Sequence, residues 1–288
     1  MKLYLDCYPC FVRMALNSAR LAGADEKTQK KVVKKTLKKL STLSMEQKAP
    51  DIANHVFALT TKILGNNDPY KDIKKKSNDT ALSFYPLFEK MLQEAEDPLL
   101  QAFKISAAGN IIDFGAFNSV DIETEIKKIP ELSFSINHFS KFESEVSDSK
   151  LLLFIGDNAG EIVFDKLLIE ILKKQYPEME IIYAVRDRPV LNDITADDAE
   201  YTGINKLVKV ISSGSKMAGT VLNECSDEFL RFYESADIVI SKGMGNYETL
   251  HEETEKNIYF IFRIKCDLIA RNTGVNVNEM ILKNSLLK

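Results

Sequence analysis

The stretch Leu151–Leu168, LLLFIGDNAGEIVFDKLL, puts an acid, an amide and a second acid at one abrupt change of pattern. A continuous apolar run ends in Gly156-Asp157-Asn158-Ala159-Gly160-Glu161, and an amphipathic helical pattern follows at once. Polar groups where a strand gives way to a helix sit on the carboxyl edge of a sheet, where α/β proteins bind ligands. Asp157 and Asn158 offer hard oxygen ligands on a tight turn. Such ligands suit magnesium, manganese, cobalt or nickel rather than a thiolate-bound metal. The glycines let the backbone approach a ligand closely.

Other expected strand ends carry comparable groups. One is followed by Arg186-Asp187-Arg188-Pro189-Val190-Leu191-Asn192-Asp193-Ile194-Thr195, another by Ser212-Ser213-Gly214-Ser215, a third by Lys242-Gly243-Met244-Gly245-Asn246-Tyr247-Glu248. A lysine beside glycines and a Ser-Gly turn suit a phosphate, whose oxygens accept from backbone N–H groups and an ammonium. A metal beside a phosphate cradle implies phosphoryl chemistry, with the metal as Lewis acid and water activator. Each segment alone also reads as a turn or a helix cap. Their joint placement at successive strand ends favours the functional reading. By spacing alone, Gly109-Asn110-Ile111-Ile112-Asp113-Phe114-Gly115 is a helix end followed by a turn, with Asn110 and Asp113 on one face.

The elements that would position these groups fall into two halves. Residues 1–145 repeat apolar groups at helical spacing, as in Phe11–Ala22, Asp25–Leu40, Asp51–Leu64, Pro69–Ala95 and Pro98–Gly109. The lysine-rich piece Lys27–Lys39 keeps that spacing and reads as a solvated helix face. Residues 146–288 alternate short apolar strands (Leu151–Ile155, Glu180–Val185, Leu207–Ile211, Ile238–Ser241, Ile258–Ile261) with helices (Glu161–Lys174, Ala196–Tyr201, Thr220–Tyr233, Tyr247–Glu255). This predicts an α/β fold: a doubly wound, mostly parallel, Rossmann-like three-layer sheet domain preceded by an all-helical subdomain. The polar segment Glu131–Ser149 is the expected joint.

Bulk properties narrow the function. With 38 basic and 42 acidic residues in 288, the net charge of −4 argues against nucleic-acid or anionic-membrane partners. No apolar run is long enough to span a membrane, and residues 1–20 lack the pattern of a secretory signal. Cys7, Cys10, Cys225 and Cys266 are too few and scattered for a disulfide framework, which fits a cytoplasmic location. Cys7-Tyr8-Pro9-Cys10 precedes helices rather than following a strand, unlike a thioredoxin-type motif. A second or structural metal site there would need a further ligand, Cys266 being the best candidate and Cys225 the next; small core residues are the competing reading. His55, His138 and His251 do not cluster in sequence. There is no Gly-x-Ser-x-Gly elbow, no P-loop, and no Gly-x-Gly-x-x-Gly after the first strand. Two alternatives remain: a methyltransferase holding S-adenosylmethionine over Gly156–Gly160 with Asp187 on its ribose, and a metal or redox module built on the cysteines.

The order of the segments resembles the damage-control phosphatase family, an ARMT-like domain formerly of unknown function. The matching pieces are Cys7–Cys10, Gly109–Gly115, Gly156–Glu161, Asn192–Thr195, Lys242–Glu248 and Lys265-Cys266, in order and spanning nearly the whole chain. The N-terminal Cys-x-x-Cys points to the prokaryotic branch. The resemblance implies a metal-dependent phosphatase acting on phosphate monoesters of small metabolites, sugar phosphates or damaged phosphometabolites. It implies a divalent cofactor (Mn, Co, Ni or Mg) on Asp157, Asn158 and Asp193, with Lys242 neutralising the phosphate. Asn110, Glu161 and Ser213 would line the pocket, and Asp113, Gly214 and Asn246 join them as substrate-binding candidates. Ile264-Lys265-Cys266-Asp267 lacks the proline expected after that cysteine. With Asp157 as a ligand, water rather than Asp157 is the expected nucleophile.

Overall fold

The computed structural model describes residues 1–109, 124 and 126–287. Short apolar runs rich in β-branched and aromatic residues form the strands. These are β1 (Phe134–Asn137), β2 (Leu151–Ile155), β3 (Glu180–Val185), β4 (Lys209–Ser212), β5 (Ile238–Lys242), β6 (Ile258–Arg263) and β7 (Met280–Asn284). They make one seven-stranded sheet in the order β1-β7-β6-β5-β2-β3-β4. Strands β2 to β6 pair in parallel. β7 is antiparallel to β6, and β1 pairs in parallel with β7.

Alternate residues of each strand feed two cores. Leu152 and Phe154 point to one face with Phe103, Phe142 and Phe164, from helices Pro98–Ala108, Phe139–Val146 and Glu161–Gln175. Leu153 and Ile155 point to the other with Phe229, Leu250 and Ile269, from helices Asp227–Ser235, Met244–Leu250 and Asp267–Thr273. Helices Cys7–Leu21, Glu26–Leu40 and Ala49–Leu64 close a third, smaller core around Phe11, Ala15, Val32, Ile52 and Val56.

The chain winds β2, β3, β4 toward one edge of the sheet and β5, β6 toward the other. The order therefore reverses between β2 and β5. Their connections leave on opposite faces and open a crevice at the carboxyl ends, the place where such sheets bind ligands.

The mostly parallel, doubly wound sheet agrees with the sequence. A division at residues 145 and 146 does not match the packing. β1 and helix Phe139–Val146, inside the expected polar joint, are part of the sheet layers. Phe88 and Phe164 also meet edge to face at 4.8 Å, so the helices before the joint share the main core. The expected helix Thr220–Tyr233 is a short turn, Leu222–Glu224, and then helix Asp227–Ser235, because the Ser226 side chain caps the latter by accepting from the Phe229 N–H. The helix expected from Tyr247 starts earlier, at Met244, directly after Gly243.

Phe164 is fully buried between the layers. Phe164→Ala should destabilise the protein by about 3–5 kcal/mol in urea unfolding, from lost burial and the cavity left behind. A change below about 1 kcal/mol would mean that these layers do not share a core.

Candidate active site

The loops after β2 and β3 are laced together by their backbones. The Ile194 N–H donates to the Asp157 carbonyl at 2.9 Å, the Ala159 N–H to the Asn192 carbonyl at 2.9 Å, and Asn158 pairs with Asp193 as an antiparallel bridge. Asp157, Asn158 and Asp193 thus stand on one rim rather than on opposite sides of the sheet. Glycines make the approach possible. A Cβ at Gly156 would lie 2.4 Å from both the Ile194 side chain and the Tyr183 hydroxyl. Gly243, at φ +80°, ends β5 against Asp157; a Cβ there would lie 1.9 Å from Asp157 Oδ2.

Asp157, Glu161, Asp165 and Asp193 are all buried, and so are the cations Arg186 and Lys242. The Asn158 amide Nδ2 donates to Asp157 Oδ2 at 2.6 Å and to Glu161 Oε1 at 2.7 Å. Arg186 donates from Nε to Asp193 Oδ2 at 2.7 Å and from its two terminal nitrogens to Thr220 Oγ1 at 3.1 Å and Asn246 Oδ1 at 2.8 Å. Asn246 donates in turn to the carbonyls of Gly156, at 3.2 Å, and Lys242, at 2.7 Å. The ends of β2, β3 and β5 are therefore tied through one guanidinium and one amide.

Burial, then the charges of Glu161 and Asp193, push the Asp157 carboxyl well above the usual carboxylate range. Burial also raises Asp193, against the pull of Arg186. For Lys242, burial favours the neutral amine, but Asp165 and Glu161 outweigh it and raise its pKa. Counted as ionised, the four carboxylates exceed the two buried cations by two charges, an excess that the raised Asp157 carboxyl reduces. A divalent cation would offset that excess, and the oxygens of Asp157, Asn158 and Asp193 are hard donors that fit one. Among the described residues no three His, Cys, Asp or Glu side chains are placed to hold a metal by themselves. The donor set that fits is two carboxylates and an amide carbonyl.

Several expected roles change. Lys242 is fully buried, and Nζ faces Asp165 Oδ1 at 2.7 Å, the Ser106 carbonyl at 2.7 Å and Glu161 Oε2 at 3.4 Å. An ammonium has three N–H donors, so direct contact with a phosphate would require it to release one of these. Asn246 is spent on Arg186 and the strand ends rather than facing a substrate. Ser213 is buried and its hydroxyl accepts from the Ser215 N–H at 3.3 Å. Gly214 packs so closely on Ser226 that a Cβ would lie 2.5 Å from its backbone nitrogen. That turn seats a helix cap. Glu161 does line the rim, in the first turn of helix Glu161–Gln175, where the helix end favours a negative charge. Asn110 and Asp113 lie outside the described residues.

Cys7 and Cys10 occupy the first turn of helix Cys7–Leu21 and Cys266 the N-cap of helix Asp267–Thr273, all as free thiols. They do not form a metal-holding group in this arrangement. Burial raises the pKa of each, so none is an activated thiolate. Asp187, the residue a methyltransferase would place on its cofactor ribose, is exposed and accepts from the Ser212 hydroxyl at 3.1 Å.

Three participants were not singled out from sequence. Arg186 was read only as part of a loop. Asn78, from helix Lys71–Ser83, accepts from the Gly160 N–H at 2.7 Å and donates to Asp198 at 3.0 Å, so the helical layer holds the β2 turn. Asp165 takes Lys242, the Ser106 hydroxyl at 2.8 Å and the Tyr183 hydroxyl at 2.9 Å. Asp165 lies one helical turn after Glu161 on a stretch otherwise apolar, and two acids at that spacing in such a setting signal a shared buried cation.

A family model described as the damage-control phosphatase ARMT1-like domain matches residues 3–281. The chain belongs to the ARMT1-like damage-control phosphatase family. Among its relatives is an uncharacterized protein of Methanocaldococcus jannaschii, 37% identical over 98% of this chain and 95% of that one. Another is the damage-control phosphatase of Pyrococcus horikoshii, 31% identical with both chains covered completely. The crystal structure of a DUF89-family protein from Pyrococcus horikoshii superposes with a TM-score of 0.90 at 29% identity, over 99% of each chain. No described helix of this family member is long and apolar enough to cross a membrane.

The raised Asp157 carboxyl predicts a pH dependence for the protein in EDTA. Below about pH 4 the folded and unfolded chains both carry the proton and burial of Asp157 costs nothing; as pH rises, only the unfolded chain releases it and stability is lost. Asp157→Asn removes this term. Its stability relative to wild type should grow on going from about pH 4 to pH 7, by at most about 1.4 kcal/mol per unit, in urea unfolding. A pH-independent difference would show that Asp157 ionises freely.

Proposed function

We propose that this phosphatase-family chain hydrolyses phosphate monoesters of small metabolites with a divalent cation held by Asp157, Asn158 and Asp193. The observation that carries the reading is the excess of buried carboxylate charge at the rim between β2 and β5, on a donor set of hard oxygens. When bound, the cation supplies Lewis acidity toward a phosphoryl oxygen. The rest is work of the chain. Arg186 fixes one oxygen of Asp193 and leaves the other for the cation. Asn158 turns its NH2 toward two carboxylates, so its carbonyl oxygen is the free end. Lys242 offsets negative charge from behind this layer, through Glu161.

Water is the nucleophile in this reading, because Asp157 is committed as a ligand and one of its oxygens already accepts from Asn158. Two cavities, of about 620 and 510 Å³, share Arg188 in the loop after β3. The first adds Lys48, His55 and Lys216, the second Lys71 and Lys74. Neither is lined by Asp157, Asn158 or Asp193, and acids stand beside the bases, Asp51 and Glu224 in the first and Asp68, Asp187, Asp197 and Asp198 in the second, so both flank the rim rather than enclose it.

Hydrolysis of p-nitrophenyl phosphate should require added Mn, Co, Ni or Mg and stop in EDTA. Asp157→Ala and Asp193→Ala should each lower kcat/KM by about 100-fold or more, equivalent to about 2.7 kcal/mol of transition-state stabilisation. Full activity in EDTA, or in Asp157→Ala, would refute the reading.

A further inference from the structure

Asp165 lies behind the rim, out of reach of any substrate, yet it is the most fully satisfied carboxylate in the cluster. It is 0% exposed and takes the Lys242 ammonium and the hydroxyls of Ser106 and Tyr183, from three different elements. A carboxylate held by three donors has one orientation. The same ammonium donates to the Ser106 carbonyl at 2.7 Å, so Nζ has two fixed partners. Glu161 Oε2 lies 3.4 Å from Nζ, an ion pair without a hydrogen bond. The other oxygen of Glu161, Oε1, accepts from Asn158 Nδ2 at 2.7 Å, and the same Nδ2 donates to Asp157.

We propose that Asp165 is a positioning residue for the cation site, acting through Lys242 and Glu161 to fix the Asn158 amide with its carbonyl oxygen free for coordination. The inference rests on the reading of Asp157, Asn158 and Asp193 as the cation donors. Each link is a hydrogen bond or ion pair between buried groups, so rotation of any one leaves a polar group unpaired, which is costly in the interior. A flipped Asn158 would point its carbonyl oxygen at the carboxylates of Asp157 and Glu161, and only their present arrangement forbids this. Lys242 thus acts on the amide that faces the cation, without touching a phosphate itself.

The test is Mn2+ affinity, measured by calorimetry on the full chain, with thermal unfolding in parallel. Wild type should bind one equivalent. Asp165→Asn should fold with a lowered Tm and weaken Mn2+ binding by about 10-fold or more, the usual effect of losing an outer partner of a ligand. Lys242→Met should weaken it similarly. The double variant should be no weaker than either single one, because both lie on one chain of contacts, and should recover part of the Tm, because Asp165 and Lys242 no longer leave each other unpaired. Ser106→Ala removes one hydrogen bond and no charge, and gives a folded comparison if Asp165→Asn does not fold; it should weaken binding at least 3-fold. Wild-type affinity, within 2-fold, in Ser106→Ala and in whichever Asp165 variant folds would overturn the inference. So would losses that multiply in the double variant, since Asp165 would then act independently of Lys242. Absence of Mn2+, Co2+, Ni2+ and Mg2+ binding in wild type would instead bring down the cation site and this inference with it.

Discussion

Negative charge shut away from water is the constraint around which this protein is organised. Asp157, Glu161 and Asp193 line one buried rim, with Asp165 in the layer behind it. An isolated carboxylate in such a place takes up a proton or disrupts the fold. Two cations are buried among them, and burial, then the charges of Glu161 and Asp193, still holds the Asp157 carboxyl well above the usual carboxylate range. The fold keeps the cluster because the strand ends are locked together by Arg186 and Asn246, and because glycines at positions 156 and 243 remove the side chains that would hold the acids apart. The strain of assembling like charges is the same property that would let the rim accept a divalent cation, as proposed above.

Topology explains why the cluster is where it is. At the reversal of strand order between β2 and β5, the helices that follow the two strands pack on opposite faces of the sheet and leave a crevice between them. The first turn of helix Glu161–Gln175 adds Glu161 to the rim and, one turn deeper, Asp165 to the layer behind it. The helical layer then closes the site from the other side. Asn78 pins the turn at Gly160, and Ser106 supplies both a hydroxyl to Asp165 and a carbonyl to Lys242. The helices before β1 are accordingly part of the site's framework, consistent with the continuous core that joins Phe88 to Phe164.

The sequence carried the central sheet well, and it put Asp157, Asn158 and Asp193 at neighbouring strand ends, which the backbone then joins. β2, β3, β5 and β6 are dense apolar runs buried on both faces, and their ends announce themselves by a switch to glycine and acid. β1 and β7 escaped because Phe-Ser-Ile-Asn is half exposed and Met-Ile-Leu-Lys-Asn is too short to distinguish from a helix fragment. The partners of Lys242 are not legible in the sequence, for a different reason. A motif gives the position of Lys242 but not which way an ammonium points, and its partners Ser106 and Asp165 are distant in the chain. The same holds for Arg186 and Thr220, and for Asn78 and Gly160. Contacts of this kind are set by packing of the layers, which local pattern does not encode.

The choice of an amide at position 158 follows from the same electrostatics. A third carboxylate there would add charge to a rim already in excess, beside Asp157 and Glu161, and its oxygens would face theirs with no proton between them. Asn158 instead bridges them, donating to both from one nitrogen. It lowers the repulsion between two acids that the site needs close together, and still offers a hard oxygen on its other end. The site thus gains a donor without gaining charge, and the orientation of that donor is enforced by the acids it separates.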